Sequence, residues 1–72
     1  MNKLDAQFIA AHEANDTSLL IRLYTQAADE TETEEAAGFF LTHAYVFALE
    51  AGAPEAPALR QRLVDMGRET GL

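Results

Sequence analysis

Cysteine is absent from this 72-residue sequence, which excludes a disulfide framework and any metal site built on thiolate ligands. Long hydrophobic runs are absent as well. The longest, Ala44 to Leu49, is far shorter than the roughly 20 residues that a membrane-spanning helix needs, and the N-terminus does not resemble an export signal. We therefore expect a complete, soluble chain. The lack of cysteine is compatible with the reducing cytoplasm, where we predict the protein to reside.

Basic residues are scarce: five Lys and Arg stand against twelve Asp and Glu, which gives a formal net charge of −7. Nucleic acid and anionic membranes are poor partners for such a surface, because both are themselves dense anions. Much of the negative charge is local, and two interpretations of this acidic stretch stay open: a solvated loop beside a capped helix start, or a contact that occupies a basic site on a partner. Its five acids are Asp29, Glu30, Glu32, Glu34 and Glu35.

Motifs that carry chemistry are also missing. No Ser or Thr stands in a recognisable nucleophile motif, and the four glycines are scattered, so no glycine-rich loop could hold a phosphate. His12, Glu13 and Asp16 partly match the zinc motif H-E-x-x-H, but Asp16 is expected to cap a helix rather than bind an ion. We therefore predict that the protein is not an enzyme and has no catalytic, cofactor-binding or metal-binding residues.

Apolar periodicity near 3.6 residues predicts helices at about 2–14, 17–29, 33–51 and 54–67, and no stretch alternates as a strand would. The predicted ends carry ordinary signals: Asn15 and Gly52 suit the left-handed conformation, and Pro54 suits a first helical turn. Thr31 and Glu34 fit a capping box for the third helix. The chain is too short for two domains. We predict a single all-α domain over residues 1–72, with four antiparallel helices forming two stacked hairpins.

The third helix is apolar around nearly its whole circumference, so it should be buried on more than one side. Either the first two helices wrap both its sides, or part of it faces another molecule. In the second case Phe39 and Val46, one heptad apart, would contact a second copy of the chain. His43 is either a packing residue or, beside Glu50, a pH-dependent switch for association. The candidate interface residues are Phe39, Tyr45, Val46 and His43.

Two stretches, His12 to Asp16 and Leu49 to Ala53, echo each other 37 positions apart, a period typical of stacked helical hairpins. About half of the chain resembles the tetratricopeptide-like helical repeats. His43 departs from that pattern, which prefers leucine there, and Arg60 stands where it prefers a large aromatic. The resemblance implies a scaffold that binds peptides or partner proteins on a concave surface, although this chain has room for two repeats where three or more are usual. The residues that match are Phe40, Ala44 and Phe47, the turn at 48–52, and Ala56 and Leu63.

These observations together predict a non-enzymatic protein–protein interaction or structural module whose partner is another protein or a second copy of the chain. Self-association is also expected because a chain this small gains little stability from its own core. One alternative is a small regulatory protein that uses the acidic stretch to occupy a basic site on a partner. The third is a protein that binds a small ligand between its helices, near His43 and Tyr45, without a cofactor.

Overall fold

The computed structural model describes residues 3–67, with side chains described from Asp5 onward, and these residues form four helices joined by short turns. The helices are α1 (Lys3–Ala14), α2 (Thr17–Glu30), α3 (Glu34–Ala51) and α4 (Ala56–Asp65). No strand occurs within residues 3–67. Consecutive helices pack against each other, so the prediction of an all-α fold built from helical hairpins is confirmed.

The turns between the helices use the predicted end signals. Asn15 has a φ of 54° and Gly52 a φ of 62°, both in the left-handed region that terminates helices. The Oδ1 atom of Asp16 accepts a hydrogen bond from the backbone N–H of Leu19 at 3.1 Å, which caps α2. Gly67, with a φ of 72°, follows the end of α4.

The capping box predicted for Thr31 and Glu34 is wrong. Thr31 belongs to the end of α2, because its N–H donates to the carbonyl of Ala27 at 3.1 Å. Thr33 caps α3 instead: its backbone is extended, and its Oγ1 accepts from the N–H of Ala36 at 3.2 Å. Glu34 therefore begins the helix, where its negative charge suits the positive end of the helix dipole.

Helix α4 is shorter than the predicted 54–67. Pro54 and Glu55 form a turn in which the N–H of Ala56 donates to the carbonyl of Ala53 at 3.2 Å, and the helix starts only there. Pro57 then occupies the first turn of α4. Backbone N–H groups in a first turn have no acceptor within the helix, so the missing N–H of proline costs no hydrogen bond there. At the other end, Asp65 is the last helical residue.

Helix α3 lies between α2 and α4, and its contact with α2 is the most extensive in the fold. The expectation that α1 and α2 would wrap both its sides is therefore wrong. In the described residues, α1 makes close backbone contact only with α2. The physical reason is that Leu59 and Leu63 of α4 supply the stripe of large aliphatic side chains that covers one side of α3.

The main core is the cluster of buried side chains between α2, α3 and α4. Ala44 and Ala48 are 0% exposed, and such small residues let the helix backbones approach closely. A smaller cluster of Ala11, Leu20 and Leu23 joins α1 to α2. The Cα atoms extend over 31 × 29 × 14 Å, so the domain is thin in one direction. The main core consists of Ile21, Ala28, Leu41, Ala44, Tyr45, Ala48, Leu59 and Leu63.

None of the described helices combines the length and hydropathy that crossing a bilayer requires.

Candidate binding groove

Seven rings from α1, α2 and α3 form one connected aromatic cluster with Tyr24 at its centre. The ring centroid of Tyr24 lies 4.7 Å from that of Phe8 and 5.1 Å from that of His43. The ring of Phe47 is stacked on Tyr24 at 5.8 Å. Every phenylalanine and histidine of the chain belongs to the cluster, whereas Tyr45 does not. Its members are Phe8, His12, Tyr24, Phe39, Phe40, His43 and Phe47.

Helical spacing on α1 and α3 brings these rings to Tyr24 from two sides. Phe8 and His12 are four residues apart on α1, so they share one face of that helix. On α3, Phe40 and Phe47 are one heptad apart and also share a face. The Nε2 atom of His12 lies 3.3 Å from the Tyr24 hydroxyl, which gives the cluster a polar link between α1 and α2.

An open groove of about 470 Å³ lies over this cluster, between α1, α2 and α3. Its volume falls within the range of roughly 300–1,000 Å³ that is usual for ligand-binding clefts. Two carboxylates, Asp5 and Glu30, also line this aromatic groove, and the described lining residues include no Lys or Arg. The five rings that line it are Phe8, Tyr24, Phe39, Phe40 and His43.

Phe39 forms the outer wall of the groove and, at 59%, is the most exposed of the large hydrophobic side chains that the structure describes. It also borders a second, shallower depression of about 450 Å³ that includes Glu35. Its neighbour Phe40 is only half-buried and packs against the main core. Phe39 therefore stands as a ridge between two depressions, each of which carries a carboxylate.

His43 connects this ridge to Tyr24. Its Nδ1 lies 3.0 Å from the carbonyl oxygen of Phe39, and since a carbonyl only accepts hydrogen bonds, Nδ1 carries the hydrogen. In the neutral ring, Nε2 is then an acceptor. The His43 ring stacks on Tyr24 with an interplanar angle of 23° and lies 4.5 Å from the ring of Phe39. The hydrogen bond of His43 therefore goes to the backbone and not to Glu50. This arrangement is the one that the packing interpretation of His43 describes.

Tyr45 is not available as an interface anchor, contrary to the prediction. It is 6% exposed and belongs to the main core, because α4 covers that side of α3. Val46, the next residue, is 42% exposed, and Leu49 is 51% exposed. The exposed apolar part of α3 is therefore the line of Phe39, Val46 and Leu49, of which the sequence analysis had selected the first two.

The acidic stretch does not act as one unit. Asp29 faces α4, where its Oδ1 accepts from Nη2 of Arg62 at 2.6 Å in an ion pair. Glu30 lines the aromatic groove, and its Oε2 accepts from Nε2 of Gln26 at 3.0 Å. Glu35 lines the shallower depression beside Phe39. The five acids are all exposed, but they face different parts of the surface.

The partial zinc motif on α1 does not form a ligand set. Asp16 lies beyond the end of α1 and caps α2, while His12 contacts Tyr24. Within the part of the chain that the structure describes, no group of three or more His, Asp or Glu residues is placed to hold a metal ion. In the same part, every buried side-chain nitrogen or oxygen has a hydrogen-bond partner.

Sequence reasoning missed the groove because its residues were assigned separately. Phe40 was assigned to the repeat pattern and Glu30 to the acidic stretch, whereas Phe8, Tyr24 and Asp5 were not singled out as site residues. The available signal was the distribution of the rings, since all of the aromatic and histidine side chains lie on α1, on α3 or at Tyr24. Only the packing of three helices brings them to one surface.

Comparison of the chain with protein-family models, with curated proteins and with solved structures finds no match. The resemblance to tetratricopeptide-like repeats therefore stays a prediction.

Proposed function

We propose that this chain is a non-enzymatic protein–protein interaction module that binds a basic partner protein through the aromatic groove and Phe39. The observation that carries the proposal is the 59% exposure of Phe39 beside four further partly exposed or half-buried rings. Aromatic side chains supply much of the contact energy in protein interfaces, and contiguous exposed apolar surface is typical of a binding site.

Charge favours a basic partner. The groove and the depression beside it carry Asp5, Glu30 and Glu35, and their described lining residues include no Lys or Arg. The whole chain has a net charge of −7. A positive partner surface would be attracted to this face, which raises the rate of association more than the final affinity. This proposal joins the predicted interaction module to part of the predicted acidic contact. A cytoplasmic location remains part of the proposal.

A second copy of the chain is the second candidate partner. The line of Phe39, Val46 and Leu49 follows a spacing of seven and then three residues, which suits packing against another helix. Like charges oppose this arrangement, because each copy brings the same net charge of −7.

The proposal is tested with immobilised wild-type chain and two variants exposed to the same cell extract. Phe39→Ala removes the exposed ring, and Val64→Ala is the matched control, since Val64 is 41% exposed on α4 away from the groove. We expect at least one protein to be retained by the wild type and by Val64→Ala but on the order of tenfold less by Phe39→Ala. Equal retention by all three would contradict the proposal.

Sedimentation equilibrium over a dilution series separates the two candidate partners. A monomeric wild-type chain at all concentrations would leave a different protein as the partner. A dimer that Phe39→Ala dissociates and Val64→Ala does not would place a second copy on this face.

A further inference from the structure

We infer that the aromatic groove binds an arginine side chain, which the partner protein would insert beside Phe39. This inference rests on the proposed function and names the chemical group that the groove recognises. Its basis is the combination, in one depression of about 470 Å³, of aromatic rings with the carboxylate of Glu30. Neither rings alone nor carboxylates alone would select a cation with a flat, delocalised charge.

The rings provide the first part of the recognition. A guanidinium group placed over an aromatic face is attracted by the negative charge density of that face. Phe39 has the largest exposed ring surface in the groove, and its position is held by the ring of His43 at 4.5 Å and that of Phe40 at 5.7 Å. A ring held in this way is already placed for stacking, so little side-chain freedom is lost when the cation binds.

The carboxylate of Glu30 provides the second part. Glu30 is oriented by its hydrogen bond from Gln26, a neutral donor that leaves the carboxylate charge in place. Arg62 pairs with Asp29, and Arg22 lines a depression on the opposite face of α2. Arg22 and Arg62 therefore do not supply the cation for the groove.

The acceptors in the groove favour arginine over lysine and over an apolar side chain. Arginine has five N–H donors in a planar fork, which can stack on a ring and donate to a carboxylate at once. His43 adds an acceptor in its neutral form, because its Nδ1 hydrogen is committed to the Phe39 carbonyl. An apolar side chain would shield the Glu30 carboxylate from water without compensating its negative charge, which is unfavourable.

The inference is tested by NMR titration of the whole chain with N-acetyl-arginine amide and, as a neutral probe of the same shape, N-acetyl-citrulline amide. We expect the arginine probe to shift the resonances of Phe39, Glu30 and His43, and to bind about five- to tenfold more tightly than citrulline. Equal binding of the two probes, arginine-induced shifts confined to other residues, or the absence of any shift would overturn the inference. Equal binding of N-acetyl-lysine amide would overturn the choice of arginine.

Two variants locate the site. Glu30→Gln should weaken binding of the arginine probe about threefold and leave citrulline unchanged. Glu55→Gln removes the same charge at the depression on the other face of α2, so it should leave both probes unchanged. Equal weakening by the two variants would mean that binding of the arginine probe depends only on the net charge of the chain, and it would overturn the inference.

The outcomes also separate this inference from the proposed function. If Phe39→Ala abolishes partner retention but the arginine probe does not bind, the interaction module stands and the arginine site is wrong. If the probe binds in the groove but Phe39→Ala retains every partner, the site stands as a cation site and the proposed function is wrong.

Discussion

On the side of α3 that faces the main core, small and aliphatic side chains such as Leu41, Ala44 and Ala48 are 0% exposed, whereas on the side of the aromatic groove Phe39 is 59% exposed. The same helix thus combines a closely packed surface with an open aromatic one. Alanine lets α2 and α4 come close enough to exclude water, while bulky rings hold α1 and α3 around Tyr24 without closing the space above it. Stability and binding are therefore expected to depend on different sides of α3.

The largest effect on stability is expected for Leu41→Ala. Leu41 is 0% exposed, so its truncation leaves a cavity in the main core and should lower the free energy of unfolding by about 3 kcal/mol. Urea denaturation would measure this. Leu49→Ala on the same helix is the control, since Leu49 is 51% exposed and its truncation should cost less than about 1 kcal/mol. Similar losses for both would remove the difference between the two sides.

Ala44→Leu tests the close packing directly. Ala44 is 0% exposed, so the larger side chain has no room and should destabilise the fold by about 2 kcal/mol through displaced neighbours. The same substitution at Ala51, an exposed position at the end of α3, should change the free energy of unfolding by less than about 0.5 kcal/mol. A tolerated leucine at Ala44 in thermal unfolding would contradict the close approach of the helices.

Thr33→Ala should have an intermediate effect. Loss of the Oγ1 acceptor for the N–H of Ala36 leaves the start of α3 uncapped and should cost about 1 kcal/mol. Thr31→Ala is the matched control, because the cap at Thr31 uses its backbone N–H and not its side chain. Calorimetric unfolding of the two variants distinguishes them. A larger loss of stability for Thr31→Ala than for Thr33→Ala would indicate that the Thr31 side chain caps α3, contrary to the structure.

Phe39→Ala should have the smallest effect on stability and the largest on binding. Since much of the ring is already in water, we expect the free energy of unfolding to change by less than about 0.5 kcal/mol. Partner retention should nevertheless fall by on the order of tenfold. If this variant instead unfolds as readily as Leu41→Ala, the aromatic groove is part of the core and the contrast between the two sides does not hold.

Helix positions and their end signals were predictable from local chemistry. Asn15, Asp16 and Gly52 each act through backbone conformation or a hydrogen bond to a residue within a few positions, so their roles can be read without knowing the fold. Thr31 and Thr33 show where this fails. Both residues precede a helix of high apolar content. The choice between them depended on which residue donates the last backbone hydrogen bond of α2.

The candidate site was predictable only in part. Phe39 and Val46 were selected because α3 is apolar around its circumference, and both are exposed. Tyr45 was selected for the same reason and is buried, because periodicity cannot say which side of a uniformly apolar helix its neighbours will cover. Glu30 was assigned to the acidic stretch, and nothing in its local sequence connects it to the rings of α1 and α3.

What could be worked out without the structure is therefore the all-α class, the four helices and most of their ends, since these depend on interactions between residues close in the chain. The placement of α4 against α3, the burial of Tyr45, the central position of Tyr24 and the aromatic groove depend on contacts between residues far apart in the chain. Those contacts were decided by packing: small residues and leucines allow close approach on one side of α3, and the size of the rings prevents closure on the other.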